Sequence, residues 1–314
     1  MIAVSTDHLK RIVERNRFQL GEENLILLGF RGAVPIAPQD FSFAPEQQLS
    51  ITNIDYTHPR CTLLQWLRAE NTFAAFPGST VPHKKYISQA LTLSGAGANQ
   101  MMTGFYNDYR RGTHLVNKPT GHEAFVQMSQ RPVRRTANDL NFDNLDRFEI
   151  TNPGDNLHAG WSMGVDHDTY GSAGCQVVVG YPECEQRAGK PAVGAWKEFK
   201  ANAYAMEQKA FPYVLLNARE LEQAVLVPDK LPLKLRFGSR DPLVSELQTA
   251  LKREGFYEGD VDDDFGPRTH RAVMAFQESH FGPEADDGIV GPVVAQALGI
   301  AWPAASAHAA AGAL

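Results

Sequence analysis

The stretch NLHAGWSMGVDHDTYGSAGCQVVVG (156–180) reads as two short β-strands on either side of a polar loop. Its end, CQVVVG (175–180), is a β-branched run closed by glycine, the pattern of a buried strand. Cys175 stands where a Ser-Ala-Gly turn enters that strand, and His158 lies 17 residues upstream, just after the apolar Leu157. A strand ending at His158 can lie beside the cysteine's own strand with its imidazole facing the thiol. The carbonyl of Ala159 or Gly160 can then hold the other ring nitrogen. These are the parts a cysteine nucleophile needs: a base, a group that holds the base, and donors for an oxyanion. The small Ala173 and Gly174 let a carbonyl approach, and the turn can aim backbone N–H groups at it.

Plainer readings of the same residues exist. A cysteine among valines is ordinarily a small buried hydrophobe. His158, His167, Cys175 and Cys184 are zinc-type ligands, but spacings of eight and nine residues match no compact zinc motif. His167 sits between Asp166 and Asp168 in a Gly-bounded loop, which suits a solvated turn as well as substrate contact. A thiol titration separates a reactive cysteine, with a depressed pKa, from an inert one.

Working outward, LILLGF (25–30), TFAAFPGSTV (72–81) and RFEIT (147–151) are further strand candidates, and LLQWL (63–67) is ambiguous between strand and helix. Helices are predicted at VSTDHLKRIVERN (4–16) and WKEFKANAYAMEQKAF (196–211), the latter turning Phe199, Tyr204 and Phe211 inward. Gly95 to Gln130 has mixed polarity and reads as an insertion over the core that lines a cleft. Arg110-Arg111 and Arg134-Arg135 are candidate partners for carboxylates, although paired surface charges usually face water. FPGSTVPH (76–83) is bounded by prolines and is a candidate to approach the site.

The chain has 314 residues, 43% hydrophobic and 21% charged, enough for two domains with cores of their own. With 30 basic against 36 acidic residues the net charge is −6, and no basic cluster invites nucleic acid or an anionic membrane. No apolar run approaches the roughly 20 residues of a membrane span. Three cysteines, Cys61, Cys175 and Cys184, make no disulfide scaffold. The start, MIAVSTDHLKRIVERNRFQL, lacks the apolar segment of a secretory signal.

Residues 229–300 hold eight basic and 13 acidic residues, so most of the net charge is there. Pro228 and Pro232 mark the boundary before them. Asp241-Pro242 gives an N-cap and a proline at the first helical position, and Val244, Leu247 and Leu251 form an amphipathic stripe ending near Gly255. A second helix is predicted from Arg268 to Ser279 and a third after Gly291-Pro292. FGPRTHRAV (265–273) is echoed 25 residues later by VGPVVAQAL (290–298). The run DVDDDFG (260–266) has Phe265 where a calcium loop of the EF-hand type needs glycine, so turn chemistry accounts for its aspartates. The tail, 301–314, is small and Ala-rich and is predicted to be disordered.

LRFGSRDPLVSELQTAL, the acidic turn before Phe265-Gly266, Thr269, AVMAFQ and DGIVGPVVAQAL resemble the peptidoglycan-binding domain appended to many cell-wall enzymes, over roughly 233–300. His158 and the Ser-x-Gly-Cys around Cys175 resemble the catalytic motif of the L,D-transpeptidases. The second resemblance implies an α+β chain: a mostly-β sandwich with helical insertions over 1–228, followed by the small three-helix domain at 229–300. It implies acyl transfer on peptidoglycan tetrapeptide stems, with Cys175 as nucleophile, His158 as base, the Ala159 carbonyl holding it, Ser172 as the family's hydroxyl residue and Gly174 beside the nucleophile. Trp161, Asp166, His167, Tyr170 and Gln176 are the candidates to hold substrate. Ala173 stands where the family usually has His, and Gln176 where it has Arg or Asn, which bears on rate and acceptor choice. No metal or organic cofactor is implied.

Two rival functions follow from the same residues: hydrolysis of the stem by an L,D-carboxypeptidase or endopeptidase, and a non-catalytic wall-binding protein with an inert Cys175. Wall chemistry without a secretory signal points to action in the periplasm or cell wall after trimming, phage release or delivery by a specialised secretion machine. The last implies an antibacterial effector and an immunity protein that plugs the cleft.

Overall fold

A computed structural model describes residues 1–92, 97–136 and 139–303. The elements run β1 (Ile2–Ser5), α1 (Thr6–Arg15), β2 (Leu25–Arg31), β3 (Ala33–Pro35), β4 (Glu46–Ile51), β5 (Cys61–Leu67), β6 (Thr72–Ser79), α2 (Lys84–Thr92), β7 (Ala98–Met101), β8 (Gly104–His114), β9 (His122–Val126), β10 (Arg131–Thr136), β11 (Arg147–Thr151), β12 (Leu157–Ala159), β13 (Gln176–Val178), α3 (Ala195–Tyr204), β14 (Phe211–Asn217), α4 (Ala218–Leu226), α5 (Pro242–Arg253), α6 (Pro267–Phe281) and α7 (Pro292–Ala297). They group into two compact units, Met1–Thr6 with Leu20–Arg219, and Asp7–Gln19 with Glu220–Leu314. The division therefore falls earlier than the prolines at 228 and 232 suggest, and the N-terminal helix α1 groups with the C-terminal residues. Of the tail expected to be disordered, 304–314 lie outside the described residues.

The first unit is built on a closed barrel in the order β12-β13-β6-β5-β2-β14-β8-β9, flanked by the small sheets β1-β4-β3 and β11-β10-β7. The expected sandwich is thus corrected. β14 inserts between β2, to which it is parallel, and β8, to which it is antiparallel, while β12 meets β9 with Leu157 opposite Phe125. The sheet curls onto itself, which removes its edges, and does not stack as two layers. β2, LILLGFR, is buried along its whole length, as an apolar run flanked on both sides by strands should be. Gly29 within it is a packing requirement: a Cβ there would lie 2.0 Å from the Tyr213 hydroxyl.

LLQWL resolves as strand β5, and Phe211, read as helical, begins β14. Trp196 and Phe199 of α3 pack with Phe76 and Phe125 in an aromatic cluster, with Phe76 and Phe199 centroids 5.1 Å apart. Within the expected insertion at 95–130, β8 and β9 are integral barrel strands, while 93–96 lie outside the described residues.

In the second unit, α5, α6 and α7 are the three predicted helices, around a core of Leu243, Val244, Leu247, Leu251, Val273, Phe276 and Val294. The echoed Gly-Pro pairs are caps: Gly266 and Gly291 are N-caps, each followed by proline at the helix start. A second echo lies in two glutamines. Gln248 accepts from the Asp262 amide at 2.7 Å and donates to the Asp264 carbonyl at 3.1 Å. Gln277 accepts from Gly288 at 2.9 Å and donates to Ile289 at 3.0 Å. Each buried amide pins the turn leading into the next element, and the aspartates at 260–264 serve that turn. Buried Arg236 anchors the same unit on Glu220 of α4, 3.1 Å from its Oε2. Burial pushes Glu220 up, but Arg236 and Lys234 outweigh it and hold the carboxyl down to about 2.

Candidate active site

β12 and β13 are parallel neighbours, with Leu157 opposite Gln176 and His158 opposite Val177. This register sets Cys175, one residue before β13, next to the strand that carries His158. His158 is buried, and its Nδ1 lies 2.8 Å from the Ala159 carbonyl. A carbonyl only accepts, so Nδ1 bears the proton and Nε2 is a bare acceptor. That Nε2 is buried with no hydrogen-bond partner. One ring nitrogen of His158, one of His114 and Sγ of Cys175 all lie within 4.8 Å of one another.

The turn before the nucleophile is tied internally. Ser172 Oγ donates to the Cys175 carbonyl at 2.7 Å and accepts from the Gly174 amide at 3.2 Å. Of the turn's backbone N–H groups, that of Gly174 is therefore already committed. Gly174 has φ +149°, and a Cβ there would lie 2.3 Å from Asn99 Nδ2 and 2.6 Å from Asp155 Oδ1. Only glycine fits that close approach. Cys175 Sγ lies 3.6 Å from the Gly154 carbonyl.

Burial pushes the Cys175 thiol up, and the neighbouring Asp155 carboxyl adds to it. In the titration that separates reactive from inert thiols, this raised direction is that of a buried thiol. Burial also pushes His158 well down, assisted by His114 and His122. The resting pair is a neutral thiol beside a neutral imidazole. Asp155 is itself raised to about 6 by burial, against the Asn99 amide at 2.5 Å and the charges of Arg131 and Arg135.

A cavity of about 550 Å³ opens onto Sγ, lined by His158, Cys175, Gly154, Asp155, Ala173, Trp161 and Tyr170 among others. Of the residues expected to hold substrate, Trp161 and Tyr170 are on its wall. Trp161 adopts φ 55°, the left-handed region a bulky residue rarely enters, with its ring edge-on to His122 at 6.0 Å. Tyr170 donates to the Pro82 carbonyl at 3.1 Å and packs on His83, so FPGSTVPH supports the loop from behind.

Three expected contacts fall elsewhere. Gln176 is fully buried, donating to Gly174 O at 3.2 Å and accepting from Tyr213 at 2.9 Å, because alternation along β13 turns it away from the cavity. Asp166 is exposed and pairs with Arg60 at 2.5 Å, and His167 is a half-buried loop residue bonded to the Thr169 carbonyl at 3.1 Å. The arginine pairs are also engaged away from the cavity, Arg135 with Glu149 at 3.0 Å and Arg111 over the rings of Tyr204 and Phe211. All three cysteines are free, and neither His167 nor Cys184 joins the His114–His158–Cys175 group.

His114 and His122 were not singled out by the sequence reading. They face each other across the β8–β9 ladder, at the two ends of the turn LVNKPTG (115–121). The His114 ring stacks on His158 at 3.9 Å and 12°, and His122 meets both edge-on. Burial, with His122 alongside, lowers His114 to about 4. His114, His158 and Cys175 are all of metal-ligating types, with one ligand atom of each within 4.8 Å of the others.

Among known proteins, the family described as "Putative peptidoglycan binding domain" matches residues 240–298. No curated protein and no solved structure matches the chain. No helix among the described residues is long and apolar enough to cross a membrane. The family match supports a peptidoglycan-binding domain at the C-terminal end, with peptidoglycan as partner and association with the cell wall.

Proposed function

We propose that the barrel unit carries out thioester acyl transfer on peptidoglycan stem peptides, in the manner of the L,D-transpeptidases, while the C-terminal domain holds the chain on the wall. The observation that carries this reading is the unpartnered Nε2 of buried His158, its Nδ1 pinned on Ala159 O, in the same cluster as the Cys175 thiol. As Sγ attacks a stem carbonyl, its proton passes to His158 Nε2, and the Ala159 carbonyl holds the imidazolium that forms. Collapse expels the leaving amine, which takes the proton from His158, and leaves a thioester on Cys175. An incoming amine gives transpeptidation, and water gives carboxypeptidase or endopeptidase activity. Attachment to the wall raises the effective concentration of stems at the cavity.

Mass spectrometry of peptidoglycan fragments incubated with wild type and Cys175→Ala tests the reading. Cross-linked dimers or D-amino-acid exchange that depend on Cys175 support transfer. Shortened stems or cleaved cross-links that depend on it support hydrolysis. No change with either protein, alongside retained wall binding, reduces the chain to a binding protein. Delivery as an antibacterial effector, with an immunity protein over the cavity, extends the same proposal. Normal growth of bacteria expressing the chain in the periplasm would remove that extension.

A further inference from the structure

The Gly174 amide is committed to Ser172 Oγ, so its N–H is not the one that meets an oxyanion. We propose that His114 fills this role, donating from Nε2–H to the oxygen that becomes negative when Cys175 Sγ bonds to a carbonyl carbon. The inference rests on the acyl-transfer reading for its substrate and on hydrogen-bond geometry for the donor.

The chain of reasoning begins at the Gln127 backbone. Its N–H can only donate, and it reaches Asn156 Oδ1 at 3.0 Å. This fixes which end of the Asn156 amide is oxygen, so the Nδ2 that lies 3.1 Å from His114 Nδ1 is a donor. His114 Nδ1 must therefore accept, which places the proton of the neutral ring on Nε2. His158 is the opposite case, with Nδ1 facing a carbonyl and Nε2 bare. Two stacked imidazoles 3.9 Å apart thus hold opposite tautomers, one an acceptor and one a donor. His114 lines the cavity beside Cys175, and its Nε2 has no hydrogen-bond partner among the described residues. An oxyanion donor needs to lie about 2.7–3.1 Å from the oxygen, which fits between Sγ and a ring nitrogen inside the 4.8 Å cluster. The division of labour is complete: the Sγ proton goes to His158, the developing charge on oxygen meets the His114 N–H, and collapse returns the electron pair as the leaving group departs. Neither ring needs an added proton at the start.

Two measurements on the full chain test this without peptidoglycan. In ¹⁵N-histidine NMR at pH 7, His114 should show a bare Nδ1 and a protonated Nε2, with His158 reversed; a proton on His114 Nδ1 overturns the proposal. In the second, Cys175 is acylated by p-nitrophenyl acetate, which forms an oxyanion, and alkylated by iodoacetamide, which does not. His114→Ala should slow acylation about 10²-fold and leave alkylation within about twofold, and His114→Gln, which keeps an N–H donor, should recover most of the loss. Equal slowing of both reactions, slowing of neither, or a wild type that alkylates without acylating would each overturn it. If the ester results hold and peptidoglycan is untouched, the proposed substrate fails and the assignment of His114 stands.

Discussion

Two glutamines of the C-terminal domain and two histidines of the barrel meet burial in opposite ways. In the C-terminal domain, Gln248 and Gln277 use both ends of their amides to fix turns. In the barrel, His158 and His122 are buried with Nε2 of each lacking a partner. An unmet buried acceptor costs stability, about 1–3 kcal/mol where nothing compensates. The contrast sets side chains that fix turns against ring nitrogens left open, which the proposed chemistry would use.

The sharpest way to divide the units is Cys175→Ala. It should reduce ester acylation to background while leaving pelleting with insoluble peptidoglycan unchanged; loss of both would mean that the units are not functionally separable. Gly174→Ala attacks the same turn through its backbone. With φ +149° and a Cβ 2.3 Å from Asn99 Nδ2, the turn must shift, and acylation should fall at least about tenfold. In the other unit, Gln277→Ala should cost about 1–3 kcal/mol. Peptide-resolved hydrogen exchange should show faster opening over 240–298 and no change at the barrel, with acylation kept.

Acidification should reach the barrel through His114, His122, His158 and Asp155 around the cavity, with His83 lowered and Asp146 raised by burial elsewhere in the unit. The three imidazoles are held below their ordinary value, so they stay neutral in the folded state while an unfolded chain takes up protons below about 6.5. Their contribution is complete above that pH and is lost on descent toward about 4, the value for His114. Asp155, raised to about 6, works in the opposite direction, with stability present at low pH and lost as pH rises through 6. Four lowered imidazoles against two raised carboxyls give a net loss between pH 6.5 and 4, measurable by denaturant unfolding at each pH; a flat profile would contradict the buried neutral rings. The smallest effect belongs to Asp166→Ala. Its partner Arg60 is across open surface, with the Asp166 side chain 82% exposed. Acylation should be unaffected, and stability should change by no more than about 1 kcal/mol.

How much of this was legible in the sequence follows from how local each feature is. The C-terminal helices announce themselves through Asp241-Pro242, the two Gly-Pro caps and an amphipathic stripe, all signals within a turn or two of the residues they govern. Cys175, His158 and the Ala159 carbonyl were readable for a similar reason, since a parallel pair one loop apart brings them together. The barrel was not, because its closure depends on β14 entering between β2 and β8, pairings that no local pattern encodes. His114 and His122 did leave a trace. They bracket a turn containing Asn117, Pro119 and Gly121, so a hairpin reading would have made them cross-strand neighbours. Gln176 is a candidate only through the position the resemblance gives to Arg or Asn, and strand alternation sends it to Tyr213 instead.

The insertion of β14 also governs when the barrel can close. Phe211–Asn217 separates β2 from β8, and Tyr213 on it holds the side chain of Gln176, the residue after the nucleophile. During synthesis the thiol and its base leave the ribosome well before that strand does. Until it arrives the barrel stays open, and the stacked imidazoles have no closed wall to be buried against. Long-range pairings of this kind form late. Closure of the barrel, and burial of the histidines within it, therefore wait on that strand.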